Sequence, residues 1–431
     1  MKSRGAHSDG LPGESPHYIR AVTEMGEKRE VIVAADIYAS NGIKLLAKGA
    51  RIDSRQYERL TRHRLSAPLD SMLTTERPVD ATTLALAADK VFEHQSVYRR
   101  IVARAGDPGK LKYYLGSLRI PEPVMVRLTV MSEQHMDLYQ HSLCTAILAF
   151  TLAQRSGLPP SQYEAAILSA LCHDFGEMHT DPVILDPGHS ITPEERRFVH
   201  VHPITGYVLL HEMAGFPSSA AQAVLQHHER LDGSGYPHAL CGQRIGILAQ
   251  LVGIADVTEA ALRRFELPRV DMLFRINHMR FARAMLDPLR DLLQVTAYDV
   301  HDCPDAGGTA AQLTQLGELL RAWSTLRTLL ERQIAPASID ASPLAFLFER
   351  MASIRSLALQ AGLDPDNMAN MLEIAQEDAT LQGELRSLLD EMDWLLRDLA
   401  NEFDRRSPEL TGLSQGVLKD LLDQLRHLLP G

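Results

Sequence analysis

The sequence predicts a mainly all-α protein, with a small α+β module near the N-terminal end and a helical extension at the C-terminal end. Three observations lead there. From about residue 80 onward, apolar residues recur every three or four positions and no alternating strand pattern interrupts them. Residues 29–55, "REVIVAADIYASNGIKLLAKGARIDSR", alternate apolar and polar positions around Asn41-Gly42, which predicts a β-hairpin with a tight turn. Eleven of the 18 histidines fall between His135 and His238, so the chemistry is expected in the helical part.

Taken in order, residues 1–28 have no apolar h-region, so they read as a disordered lead-in and not as a secretory signal. The hairpin and a short helix in "QYERLTRHRL" make a module over 29–75. It holds no phosphate loop and no ligand cluster, so packing or dimerisation is its expected role. A helical domain is expected over 80–300, with its core at 125–265. It begins with "TTLALAADKVFEHQSVYRRIVARA", which stops at "GDPGK". The next helix is expected over 122–156, ending at Gly157, and others at 161–176, 193–212, 217–229, 244–264 and 268–295. The cluster "HDCPDAGGTAAQ" (301–312) marks a boundary. Beyond it, a helical region over 310–431 carries one stripe of Leu388, Met392, Leu395, Leu399 and Phe403 and another of Leu418, Leu421, Leu425 and Leu428. Such stripes are expected in a bundle core, with partner binding or homodimer formation as the other use.

The totals exclude several classes. A chain of 431 residues is too long for one compact core. With 44 basic and 55 acidic residues the net charge is −11, which argues against binding a nucleic-acid polymer by phosphate neutralisation. No apolar run reaches the length needed to span a bilayer, so no membrane is expected. The four cysteines, Cys144, Cys172, Cys241 and Cys303, form no C-x-x-C pair, and a reducing cytoplasm fits best. Cys172 reads as a small buried hydrophobe, although it adjoins His173.

Asp137, His141, His173, Asp174, His202, His227, His228 and Asp256 are the candidate ligands. Successive groups lie 25–32 residues apart, the length of a helix out and a helix back, so each can return to one point in a bundle interior. Asp137 and His141 are one helical turn apart and share a face. Asp256 stands inside the apolar run "ILAQLVGIADVTEAAL", where a buried carboxylate needs a cation or a donor. Imidazole with carboxylate and no thiolate suits iron, manganese or zinc. Two such ions about 3.5–4 Å apart can activate a bridging water and stabilise a phosphoryl transition state.

The stretch "HHERLDGSGYP" (227–237), with His173-Asp174, the "HP" at 202–203 and the "AD" at 255–256, resembles the HD-GYP family of HD-superfamily phosphohydrolases. The resemblance covers roughly residues 125–265. It implies a helical bundle around two or three divalent metal ions, iron or manganese, that hydrolyses cyclic dinucleotides, chiefly cyclic di-GMP. It implies that His141, His173, Asp174, His202, His227, His228 and Asp256 are ligands, with Asp174 as the bridge. Asp137 stands where trinuclear members carry a glutamate. Gly233 and Gly235 would let backbone N–H groups approach a substrate phosphate, and Tyr236 would either pack on a base or buttress the loop.

Two departures matter. Where the family reads H-D-x-G-K, with its lysine near the scissile phosphate, this chain has Glu177. If the helix over 161–176 continues, Glu177 faces the same centre as Asp174, and the two are the candidate catalytic carboxylates. After Asp256 the family's R-P-Y-R-like segment is missing, and Arg263 and Arg264 are the candidate substitutes for holding substrate. The expected function is a cytoplasmic, metal-dependent cyclic-dinucleotide phosphodiesterase. The alternative is a sensor or scaffold that binds metal or nucleotide without useful turnover.

Overall fold

The computed structural model describes residues 14–186, 188–189, 191–294, 306–333, 345–361, 363 and 379–406. The chain is mainly helical, with two small two-stranded sheets. Two compact units divide it. The first runs to Arg264 and takes in His278–Leu293, while Phe265–Asn277 groups with the C-terminal helices.

Helix α1 (Pro16–Lys28) opens the first unit, and the side chain of Ser15 caps it by accepting from the Tyr18 N–H at 3.2 Å. Tyr18, Ile19, Val22 and Met25 are buried along one face. This corrects the expectation of a disordered lead-in for residues 14–28, because that apolar stripe packs on the module that follows. Residues 1–13 lie outside the described residues. Strands β1 (Val31–Val33), β2 (Ile37–Tyr38) and β3 (Lys44–Leu46) follow, then α2 (Tyr57–Thr61) and β4 (Leu73–Thr75). β1 pairs antiparallel with β4, and β2 with β3. Gly42 turns the β2–β3 hairpin at a φ of 83°, a conformation that favours glycine.

The helical part comprises α3 (Ala81–His94), α4 (Ser96–Ala105), α5 (Pro108–Gly116), α6 (Glu122–Gln134), α7 (Met136–Arg155) and α8 (Tyr163–Cys172). Then come α9 (Pro193–His200), α10 (His202–His211), α11 (Ser218–Gln226), α12 (Ile247–Leu262), α13 (Leu267–Ile276) and α14 (Arg283–Leu293). Four helices expected to be continuous are broken, the first of them at Gln95, between α3 and α4. The one over 122–156 breaks at His135, whose N–H closes α6 on the Met131 carbonyl while its own carbonyl accepts from Tyr139 to start α7. The one over 193–212 breaks at Val201, since Pro203 has no N–H to carry α9 onward. The one over 268–295 breaks after Asn277, whose side-chain amide caps α13 on the Leu273 carbonyl at 2.9 Å.

Helix α7 is the spine of the first unit. Its residues from Ser142 to Ala153 are buried, and it packs against α8 and α12. Each such apolar side chain contributes about 1.5–3 kcal/mol by leaving water.

The second unit has its own core. Trp323, Leu347, Met351, Leu363, Leu389, Met392 and Leu399 are buried in it, with Met272 and Ile276 of α13. Its other helices are Ala306–Gln333, Ala345–Gln360 and Ala379–Arg406. Residues 306–312, read as a boundary, are the first turns of a helix. Of the expected stripes, Leu388, Met392, Leu395 and Leu399 line this core, and Leu418, Leu421, Leu425 and Leu428 lie outside the described residues. Among the described residues, no helix is long and apolar enough to cross a membrane.

Candidate metal centre

Three of the candidate ligands stand where a helix has just ended. His173 follows α8, His202 follows the end of α9 and His227 follows α11. The last carbonyls of a helix have no partner within it. Each of these imidazoles uses one: Nδ1 of His173, His202 and His227 lies 2.7 Å from the carbonyl oxygen three residues earlier, of Ala170, Val199 and Val224 respectively. A carbonyl only accepts, so each Nδ1 carries the proton and donates it. Each Nε2 is left with a lone pair directed at the centre. His141 lies inside α7, and its Nδ1 makes a short hydrogen bond to the Glu259 carboxylate.

Asp174 stands between two pairs of these nitrogens. Its Oδ2 is 3.0 Å from His173 Nε2 and 3.5 Å from His141 Nε2. Its Oδ1 is 3.2 Å from His202 Nε2 and 3.6 Å from His227 Nε2. Asp256 closes the His141 side, with Oδ1 at 3.2 Å from His141 Nε2, and reaches His228 Nδ1 with Oδ2 at 3.9 Å. Two sets of residues with the spacing to hold a metal ion result: Asp174 with His202, His227 and His228, and Asp174 with His141 and His173. Two glycines allow the approach. A Cβ at Gly176 would sit 2.0 Å from the His202 carbonyl oxygen, and one at Gly253 would sit 2.3 Å from that of His227.

The donor set fits divalent ions. His141 Nε2 and His173 Nε2 are 3.2 Å apart, and His202 Nε2 and His227 Nε2 are 3.3 Å apart. With the protons on Nδ1, each pair brings two lone pairs together, an arrangement that needs a cation between them. Nitrogen and carboxylate oxygen suit iron, manganese or zinc. Burial pushes the Cys172 thiol well up, which keeps it protonated and out of the donor set.

Burial opposes protonation of His141, yet hydrogen bonds to Asp256 and Glu259 outweigh it and raise its pKa well above the usual value. Burial dominates at His227, whose pKa falls to about 4, and at His228, whose pKa also falls well below the usual value. Asp174 is buried too, but the facing imidazoles hold its carboxyl well below the usual carboxylate range. Burial, and then Asp174, push Glu177 up to about 7.

The remaining candidates are placed differently. α8 ends at Cys172, so a helical wheel does not describe Glu177; it sits on a 3-10 turn, Phe175–His179, with its N–H bonded to the Asp174 carbonyl. Glu177 belongs to neither ligand set, nor does Asp137, which is exposed one turn before His141. Arg263 is exposed, and its Nε donates to Glu259 at 2.5 Å. Arg264 is exposed. Gly233 turns the loop at a φ of 77°. The close approach at Gly235 is to its own chain, where a Cβ would lie 2.4 Å from the His228 carbonyl oxygen. The Tyr236 ring stacks on His200 at 4.1 Å and on His228 at 4.6 Å, contacts that buttress the loop.

Residues not anticipated from the sequence complete the site. Glu229 holds the GYP loop by accepting from the His238 and Leu240 N–H groups at 2.8 Å each. Arg230 donates from Nη1 to the His227 carbonyl at 2.8 Å. Glu259 is the most consequential, and its signal was present: it lies three residues after Asp256, on the same face of an apolar helix, and four before Arg263.

Residues 113–288 match the family described as HD domain. The chain is 35% identical over 123 residues to a cyclic di-GMP phosphodiesterase of Pseudomonas aeruginosa, covering 28% of this chain and 30% of that one. It is 33% identical over 146 residues to a 3'3'-cGAMP-specific phosphodiesterase of Vibrio cholerae, covering 34% of each. It is 38% identical over 117 residues to the cyclic di-GMP phosphodiesterase response regulator RpfG of Xanthomonas campestris, covering 27% of this chain and 31% of that one. These matches span roughly a third of the length of each relative. Among solved structures, an HDG"Y"P protein from Bdellovibrio bacteriovorus matches 61% of this chain and 95% of its own at 20% identity, with a TM-score of 0.36. The family match spans the segment that closes around Asp174, so residues 113–288 hold a domain similar to the HD domain family.

Proposed function

We propose that the protein is a metal-dependent phosphodiesterase acting on a cyclic dinucleotide, with iron or manganese at the centre. The observation that carries this reading is Asp174, whose two carboxylate oxygens each face a different pair of imidazole nitrogens. A carboxylate placed in this way is built to be shared between two cations. Bound there, a pair of divalent ions supplies an activated water and neutralises charge on the phosphoryl group.

The chain's own residues do the rest. The backbone carbonyls of Ala170, Val199 and Val224 keep the proton on Nδ1 of His173, His202 and His227. Asp174 and Asp256 bring the negative charge that holds cations in a buried site. Tyr236, stacked on His200 and His228, fixes the loop beside the ligands. The relatives named above act on cyclic di-GMP or on 3'3'-cGAMP, and both are candidate substrates.

The test is hydrolysis of each dinucleotide by the full chain, purified without oxygen and loaded with Fe(II) or Mn(II). Linear product is expected from the wild type and none from Asp174→Ala. Turnover by Asp174→Ala equal to wild type would rule the reading out. One observation favours a second reading, a nucleotide-binding sensor without turnover. Glu177 puts a carboxylate where the resemblance implies a lysine, and a carboxylate there repels phosphate. Binding of a dinucleotide by the metallated protein with no product would favour that reading.

A further inference from the structure

The four imidazoles that pair across Asp174 reach the centre by two different routes. His173, His202 and His227 each find an unused carbonyl at a helix end. His141 has none within reach, because the carbonyls around it belong to the ladder of α7. Without an acceptor on Nδ1, its ring is free to carry the proton on Nε2, the atom that faces Asp174 and Asp256.

Glu259 removes that freedom. It lies on α12 and is only 1% exposed, and one oxygen meets His141 Nδ1 in a short hydrogen bond. The other oxygen accepts from Arg263 Nε at 2.5 Å and faces the Tyr98 hydroxyl at 3.4 Å. A carboxylate buried this deeply needs partners on both oxygens. Tyr98 comes from α4, Arg263 from the end of α12 and His141 from α7, so three helices meet on this one side chain. Outer carboxylates of this kind set the tautomer and basicity of a histidine ligand.

We propose that Glu259 is a positioning residue: clamped by Arg263 and Tyr98, it fixes His141 as the Nδ1–H tautomer and so completes the half of the centre formed by His141, His173, Asp174 and Asp256. This inference rests on the metal-centre reading. It makes Arg263 a part of the frame behind His141 and removes it from the groups free to hold substrate.

The experiment measures Mn(II) bound to the full chain at a series of free Mn(II) concentrations, by elemental analysis, for wild type, Glu259→Gln and Glu259→Asp. The glutamine amide can donate to His141 Nδ1, which would move the ring proton to Nε2 and turn a ligand into a donor. Wild type is expected to bind two ions. Glu259→Gln is expected to keep one and to bind the second about 10–100-fold more weakly. Glu259→Asp, which remains an acceptor, is expected to recover part of the loss. Two ions in Glu259→Gln at wild-type affinity would overturn the proposal and leave the metal centre standing. A wild type that binds no Mn(II) would overturn both. If Glu259→Gln does not fold, the ¹⁵N spectrum of the metal-free wild type decides, read at a pH high enough to make His141 neutral: a proton on Nε2 overturns the proposal, and one on Nδ1 supports it.

Discussion

At the scale of single residues, Glu177 is the departure from the resemblance that lies nearest Asp174. It sits one short turn beyond Asp174, and burial followed by the Asp174 charge raises its carboxyl to about 7. The resemblance implies a lysine at this position, whose charge would favour the phosphoryl group that a carboxylate opposes. One well-placed donor to a developing oxyanion is worth about 10²–10³ in kcat. Glu177→Lys is therefore expected to raise hydrolysis of cyclic di-GMP by about 10²-fold, the lower end of that range. Unchanged or lower turnover, with metal content equal to wild type, would show that Glu177 is not what limits the site. Glu177 and Asp174 were both legible in "CHDFGEMH". The end of α8 at Cys172 was not, because no glycine or proline precedes Asp174 to mark it.

Among elements, the least expected contact joins α1 to the turn that carries Glu177. Arg127 of α6 is fully buried, donates to Asp70 from Nε at 2.9 Å and from Nη2 at 2.5 Å, and meets His179 Nε2 at 2.8 Å. Tyr18 of α1 stacks on His179, and its hydroxyl makes a short hydrogen bond to Asp70. Glu14 completes the group, accepting from the Leu69 N–H at 2.8 Å. Burial raises the Glu14 carboxyl from 4.5 to about 7, only partly offset by Arg127. Its folded pKa therefore exceeds its unfolded one. The stability this contributes is full below pH 4.5 and is lost as pH rises through 7. Glu14→Gln is expected to lack that slope. Relative to wild type it should gain on the order of 3 kcal/mol between those pH values, read from urea unfolding at each pH. A constant difference between the two proteins would show that Glu14 is not buried as a neutral acid. The helix itself was readable from Ser15, Pro16 and the stripe Tyr18, Ile19, Val22, Met25. Its partners were not, because Asp70 and Arg127 are distant in sequence and neither carries a local signal of pairing.

For the whole molecule, the gathering of His141, His173, Asp174, His202, His227, His228 and Asp256 at one place was legible because their groups recur at intervals of 25–32 residues. Glu259 was legible as a carboxylate on the Asp256 face of α12, but its partner was not, since its bond to His141 spans 118 positions. The division of the chain was only partly legible: a Pro and Gly cluster marked 301–312, whereas α13 joins the second unit with no such marker. The two units have separate cores, and both tryptophans of the chain, Trp323 and Trp394, lie in the second. A ligand that binds only the folded state stabilises it by about 2.7 kcal/mol at a hundred times its Kd. For a unit of this size that is a rise in melting midpoint of roughly 5 °C. Adding Mn(II) to the metal-stripped chain should therefore move one calorimetric transition up by that amount. The transition followed by tryptophan emission should stay where it was, because the ions bind in the first unit. Equal shifts in both signals would mean that the two units unfold as one, and that metal binding at Asp174 stabilises the C-terminal helices as well.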